Sequence, residues 1–295
     1  MIYYFIYRIA QILVLVLPLD AAYWLSEKAA SIWFVFNLKD RAKVEDNLKI
    51  IFAQENLSEP DLREKAKEVF VNFGKYMVEF LRAHKLNRKY INTRIKFNNL
   101  EVINSFKGKG IIFLSAHLGN WELGAAVIAE MGIKLTALAL THSHKNINVL
   151  FRNQRESHGV KDMPLGTSSV KNILRGLKKG ESLAILGDRD FGYGGGIKMD
   201  FFKKPALIPK GPAFFHLKTG CPIVPIFVVR QKDNSFTFFL DEPIIVNGEI
   251  TDENMKEISS KIVAVMEKYI KNYSTQWLMI HRLWDIDNIE REEII

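Results

Sequence analysis

The chain has 295 residues, 48% of them hydrophobic, enough for one large α/β domain or two small ones around a sizeable core. Its 41 Lys and Arg against 33 Asp and Glu leave a net charge of +8, which favours anionic partners: membrane lipids, phosphates or an acidic carrier. No helix-turn-helix, zinc-finger or RRM signature accompanies that charge, so nucleic acid is set aside, and a single cysteine, Cys221, excludes an intrachain disulfide.

Residues 2–19 hold one charge, Arg8, and the run from Ile9 to Leu19 is apolar apart from Gln11 until Asp20 ends it. Tyr3, Tyr4, Tyr7, Tyr23 and Trp24 bracket this run like interfacial anchors. Spanning a bilayer takes about 20 apolar residues. Residues 1–36 therefore read as a membrane-embedded N-terminal helix, either spanning or lying in the interface, with a long buried core helix as the alternative. A cleaved signal peptide is disfavoured by the thin charged start. From Asp40 to Phe52, Val44, Leu48 and Ile51 keep helical spacing. Ser58 with Asp61 reads as a helix N-cap, after which Val69, Phe70, Phe73, Met77, Phe80 and Leu81 carry an apolar face.

The α/β pattern starts near Lys96. Strands are expected at Gly110–Ser115, Leu135–Leu140, Val160–Met163, Ser182–Leu186, Ile223–Val229 and Phe236–Leu240. Helices separate most of them: Trp121–Met131, Lys145–Ser157, Ser168–Lys178, Lys210–Thr219 and Asp252–Tyr273. This alternation predicts an α/β fold, a single largely parallel sheet flanked by helices, with one catalytic domain over 37–295. Cys221, beside Pro222 and before an apolar run, reads as a buried structural thiol.

The densest chemistry lies in Ser115-Ala116-His117-Leu118-Gly119-Asn120-Trp121-Glu122. His117 falls where a buried strand ends, at the edge where α/β sheets hold ligands, and Glu122 falls in the first turn of the next helix. Folded over one tight turn, the pair can act as a base and the carboxylate that orients it. The alternative is a surface or satisfied-core pair without catalytic use. Downstream, residues 145–179 hold eight basic side chains against Glu156 and Asp162. Most of these solvate helix faces, but Arg155, near a helix end before Gly159, can reach a pocket as an anion clamp.

The strand Ser182–Leu186 runs into Gly187-Asp188-Arg189-Asp190-Phe191-Gly192, followed by more glycines. The order of these residues does not fit a dinucleotide fingerprint, and Asp188 with Asp190 lacks the further ligands a metal site needs. His142 and His144 likewise lack a third ligand. Phe201-Phe202 with Pro205 reads either as the wall of a greasy cleft or as an ordinary loop with buried Phe. No Gly-x-Ser-x-Gly elbow is present, so a covalent serine mechanism is disfavoured.

The set as a whole resembles the bacterial lipid A biosynthesis late acyltransferases (lauroyl/myristoyl type), within the lysophospholipid acyltransferase group. The likeness is carried by His117-x-x-x-x-Glu122 after a buried strand, a downstream Arg, Gly187-Asp188-Arg189-Asp190, Phe201-Phe202 with Pro205, and Gly211-Pro212-Ala213 leading to Gly220-Cys221-Pro222-Ile223-Val224-Pro225. It extends from the N-terminal segment to the Trp277–Trp284 region. It implies a glycerolipid acyltransferase-like fold and acyl transfer from an acyl thioester, on acyl carrier protein or CoA, to a hydroxyl of an anionic glycolipid at the cytoplasmic face of the inner membrane. No cofactor and no metal are implied. His117 would be the base and Glu122 its partner, with Arg155, Asp188, Arg189 and Asp190 as substrate-binding residues and Asp190 a rival to Asp188. Lysophospholipid or phosphoinositol mannoside acceptors share this chemistry. An acyl-thioester hydrolase and a non-catalytic lipid binder are the remaining readings.

Overall fold

The fold was obtained as a computed structural model, which describes residues 2–140, 144–190 and 195–284. The N-terminal apolar run forms two helices rather than the single helix expected over 1–36: α1 (Ile2–Val16) and α2 (Leu19–Phe36). Pro18, extended at φ −56° and ψ 151°, separates them, because its ring and missing N–H cannot continue α1. Among the described residues no helix is long and apolar enough to cross a membrane. Helices α3 (Leu38–Ile51) and α4 (Glu59–Leu81) follow. The Ser58 cap is present, its hydroxyl accepting from the Asp61 N–H at 3.3 Å. Helix α4 is the spine of this region. It buries Phe70 against Trp33 and Phe34 of α2, with ring centroids 4.7 and 5.4 Å away. The end of α1 is tied to it as well, since Arg82 donates to the carbonyls of Val14 and Leu17 and Lys85 to that of Leu15. These cations occupy carbonyls that a helix C-terminus leaves without internal partners.

Beyond a short α5 (Arg88–Arg94) the sheet region begins with β1 (Ile95–Asn98), α6 (Glu101–Asn104) and β2 (Ile112–Ser115). It continues through α7 (Trp121–Glu130), β3 (Leu135–Ala139), α8 (Lys145–Glu156), β4 (Val160–Pro164), α9 (Thr167–Lys178) and β5 (Ser182–Leu186). A hairpin, β6 (Ile197–Phe201) with β7 (Lys204–Ile208), then leads to α10 (Gly211–Thr219), β8 (Ile223–Arg230), β9 (Phe236–Leu240) and α11 (Asp252–Asn272). Seven strands form one sheet in the order β1-β9-β8-β2-β5-β3-β4. Pairings from β8 across to β4 are parallel, as expected. β9 runs antiparallel to β8, and β1 joins β9 in parallel at the far edge. Neither β1 nor the separate hairpin was expected from the sequence. Both are short, and their burial alternates under charged residues, so no continuous apolar run marks them.

The central strand explains itself. All four residues of β2 and all eight of β8 are buried, the near-continuous apolar pattern of strands covered on both faces. One face packs on α9, α10 and α11 through residues such as Leu114, Ile223 and Ile262, and the other on α7 through Phe113, Val127 and Val228. After β2 the chain steps over a position to β3 and β4, returns as β5 beside β2, and later adds β8 on the other side of β2. The carboxyl ends of β2, β5 and β8 therefore meet at the switch in strand order, where open α/β sheets form their crevice.

Candidate active site

β2 and β5 are in parallel register with Ser115 opposite Leu186. Two residues further on each strand lie His117 and Asp188, which the register brings side by side. His117 Nδ1 is 2.9 Å from Asp188 Oδ1, and the His117 backbone N–H donates to Asp188 Oδ2 at 2.8 Å. The same Oδ2 accepts from the Trp277 indole Nε1 at 2.9 Å. Asp188 is 0% exposed. Burial alone would push its carboxyl up, but the charge of His117 and the hydrogen bonds from His117 and Trp277 outweigh it and hold the group below the ordinary carboxylate value. An ionised, fully bonded Asp188 fixes the His117 ring and leaves Nε2 as its working nitrogen.

The carboxylate on His117 is thus Asp188, which corrects the expectation that Glu122 orients the base. Glu122 is held instead by Arg155, whose Nε and Nη2 reach its oxygens at 2.6–3.1 Å, while Arg155 Nη1 donates to Asp162 at 2.6 Å. Arg155, expected as an anion clamp, therefore sits between two carboxylates of the protein itself, with its charge already matched by them. Burial opposes its charge, but Glu122 and then Asp162 raise its pKa above the usual guanidinium value, so it stays cationic. The sequence did separate Arg155 from its basic neighbours correctly: Arg152, Lys161, Lys171, Arg175, Lys178 and Lys179 are exposed, whereas Arg155 turns inward. What it could not supply was the partner, because Glu122 lies 33 residues upstream.

The turn between β2 and α7 is clamped on both sides. Gly119 adopts φ +65°, and a Cβ there would lie 2.0 Å from the carbonyl oxygen of Val228, so only glycine fits. Its N–H donates to the Gln276 carbonyl at 2.9 Å, and Leu278 N–H donates to the His117 carbonyl at 2.7 Å. Asn120 caps α7 by accepting from Leu123 N–H at 2.8 Å. Trp121 meets the His117 ring edge-on at 5.1 Å and stacks on Tyr76 at 4.5 Å.

A cavity of about 1510 Å³ opens beside His117 and is also lined by Glu122, Arg155, Arg189 and Asp190. It is larger than the roughly 300–1,000 Å³ of most small-molecule sites. Asp190 does not rival Asp188. Its Oδ2 accepts the Gly196 N–H at 2.8 Å instead. Residues 191–194 lie outside the described residues, as does His142. The aromatic residues that line the cavity include Trp33, Phe73, Tyr76, Trp121, Phe151 and Phe214. Phe201 and Phe202 are not among them. Phe201 is buried beneath Trp284, whose Nε1 donates to its carbonyl at 2.9 Å, and near Trp277, so the β6–β7 hairpin braces the indole that serves Asp188. The bond from Trp277 to Asp188 was not foreseen in the sequence, since nothing local distinguishes that indole. Cys221 is buried, as expected.

A histidine held by a buried carboxylate thus lines a large, mostly apolar cavity, an arrangement that can supply acid–base chemistry beside a lipid-sized space. Residues 1–285 match the family described as bacterial lipid A biosynthesis acyltransferase, and the chain belongs to that family of lipid-acylating enzymes. It is 26% identical over 245 residues to the lipid A biosynthesis palmitoleoyltransferase of Escherichia coli (strain K12), covering 80% of this chain and 76% of that protein. It is 23% identical over 183 residues to the phosphatidylinositol mannoside acyltransferase of Mycolicibacterium smegmatis, covering 61% and 58% of the two chains. Among solved structures, the 1-acyl-sn-glycerophosphate acyltransferase PlsC of Thermotoga maritima aligns with a TM-score of 0.40 and 15% identity, over 84% of this chain and 98% of that one. The fold assignment stands on strand order and register.

Proposed function

We propose that this enzyme moves a fatty acyl chain from an acyl thioester, on acyl carrier protein or CoA, to a hydroxyl of a lipid A-type glycolipid precursor, with His117 as general base and Asp188 as the carboxylate that orients it. The observation that carries the reading is the His117–Asp188 pair, with His117 lining the cavity, in a chain of this family. A thioester carbonyl is already activated, so the protein must take the proton from the alcohol as its oxygen attacks and stabilise the oxyanion until the thiolate leaves. His117 Nε2 accepts that proton and passes it to the departing sulfur. The imidazolium formed in between is stabilised by ionised Asp188. Arg189 and Lys210, which also line the cavity, supply positive charge for the oxyanion or for a phosphate of the acceptor. Glu122 and Arg155, locked to each other, shape the wall next to the base.

The acyl chain is assigned to the inner part of the cavity, between α7 and the sheet, where Phe113, Gly124, Ile128, Leu135, Ala137 and Ala184 line it. Small residues there leave room that larger ones would fill. Membrane attachment is assigned to the outer faces of α1 and α2. Phe5, Ile9, Ile12 and Val16 share one helical face of α1 and are exposed, as are Trp24, Ile32, Val35 and Phe36 of α2. A contiguous exposed apolar face of this kind suits a helix lying in the headgroup region rather than crossing it. Tyr7 and Trp33 of the same helices line the cavity, so α1 and α2 lie between it and the exposed apolar side chains. The basic balance of the chain suits an anionic leaflet.

The test offers purified enzyme one labelled acyl donor with matched phosphorylated and dephosphorylated glycolipid acceptors. Acylation of the phosphorylated acceptor, and its loss by about 10²- to 10⁴-fold in His117→Ala, is expected. Free fatty acid as the main product would make the enzyme a hydrolase, and equal rates on both acceptors would remove the anionic-acceptor assignment.

A further inference from the structure

We infer that Glu79 and Arg230, a buried ion pair remote from the reacting atoms, position the His117 turn, with Asn120 and the Ser274–Leu278 strap carrying the constraint. The inference rests on reading His117 as the base. Glu79 comes from α4 and Arg230 is the last residue of β8; neither lines the large cavity. Arg230 grips the carboxylate at both oxygens, Nε to Oε1 at 2.8 Å and Nη2 to Oε2 at 2.9 Å. The same carboxylate accepts the Tyr23 hydroxyl of α2 at 2.8 Å and the Asn120 side-chain amide at 2.6 Å. Asn120 is the cap residue three positions after His117, so one flank of the turn ends on Glu79.

The other flank ends on Arg230. Gln276 accepts from the Arg230 backbone N–H at 2.9 Å and donates to its carbonyl at 2.8 Å. Arg230 Nη1 donates to Asn72 at 2.9 Å, and Asn72 donates in turn to the Thr275 carbonyl at 2.9 Å. That strap carries Trp277, which bonds Asp188, and Leu278, which bonds the His117 carbonyl. Both flanks of the base therefore converge on one buried ion pair. Removing two charges from water is costly, and an apolar substitute is often no less stable, so stability alone accounts poorly for this pair and the groups it holds in place account for it better. Misplacement of a catalytic group by about 1 Å can cost 10²-fold in rate.

The test uses the full-length enzyme and separates positioning from stability. Asn120→Ser keeps an oxygen for the Leu123 cap but loses the amide that reaches Glu79. We expect its kcat to fall by about 10- to 100-fold with KM within about twofold, its Tm to stay close to that of the parent, and the acid limb of its pH–rate profile to move. Gln276→Leu, which cuts the strap on the opposite flank, should act in the same direction, so the test survives if Asn120→Ser does not fold. Parental kcat and pH profile in both variants, with or without a lower Tm, would overturn the inference. His117→Ala is run beside them. Full turnover in that variant would overturn the assignment of the base, whereas loss there with no loss in the flank variants would overturn only the positioning role.

Discussion

Replacing Asp188 by Asn is the sharpest probe of the site. The amide oxygen can replace Oδ2 and accept from the His117 N–H and the Trp277 indole, which turns the amide N–H₂ toward His117 Nδ1. Nδ1 must then be an acceptor, so the neutral ring carries its proton on Nε2, the wrong tautomer for a base. Losing the charge-assisted bond that stabilises the imidazolium removes about 1.5–3 kcal/mol, and forcing the tautomer against a fully buried donor costs about 1–3 kcal/mol more. At about 1.4 kcal/mol per decade the rate should fall by about 10²- to 10⁴-fold. The assay is transfer of a labelled acyl group under single-turnover conditions, with circular dichroism to confirm folding. Stability gives a second readout with a defined sign. The folded-state pKa of Asp188 is depressed, so its contribution is complete above the unfolded value of about 3.9 and is lost as pH falls through the lower folded value. Asp188→Asn should lack that part of the acid sensitivity. Activity within about threefold of the parent would refute the dyad.

Glu122→Gln should weaken the grip on Arg155 and lower both Tm and kcat, yet cost less activity than His117→Ala; a double-mutant cycle with Arg155→Ala should return a coupling of about 1 kcal/mol or more, and additivity would dissolve the pair. Gly119→Ala places a side chain at φ +65° with a Cβ against the Val228 carbonyl, and should destabilise by more than about 2 kcal/mol in a denaturant titration. Lys203 holds φ +61° in the β6–β7 turn, so Lys203→Gly should leave the unfolding free energy in a denaturant titration unchanged or raise it by up to about 1–2 kcal/mol of relieved strain. Ile9→Glu with Ile12→Glu should abolish sedimentation with anionic vesicles while leaving Tm intact; continued sedimentation would move the membrane face elsewhere.

Elements with a strong period were readable from the sequence to within a residue or two. Ser182–Leu186 and Phe236–Leu240 are observed with the expected bounds, and the helix expected at Asp252–Tyr273 ends one residue earlier. Partnerships were not readable. The short spacing from His117 to Glu122 suggested a pair, but α7 turns Glu122 toward α8, and the strand register instead brings in Asp188 from 71 residues away. A parallel alignment of the two strands by their last residues, Ser115 and Leu186, would have shown it. Pro18 inside the apolar run was the visible sign that one helix would become two. The ion pair of Glu79 with Arg230, 151 residues apart, left no local trace because each residue alone looks like surface charge.

The strap that closes over His117 also bears on when the enzyme becomes active. A nascent chain that has emerged only as far as Ser274 contains the base, its carboxylate and most of the cavity wall. It lacks the indole on Asp188 and the amide on the His117 carbonyl, both supplied by Trp277 and Leu278. Helices α1 and α2, by contrast, precede the strap by more than 230 residues in the chain. A product cut short before Trp277 would keep the apolar faces of those helices and lose both bonds that hold the His117 turn.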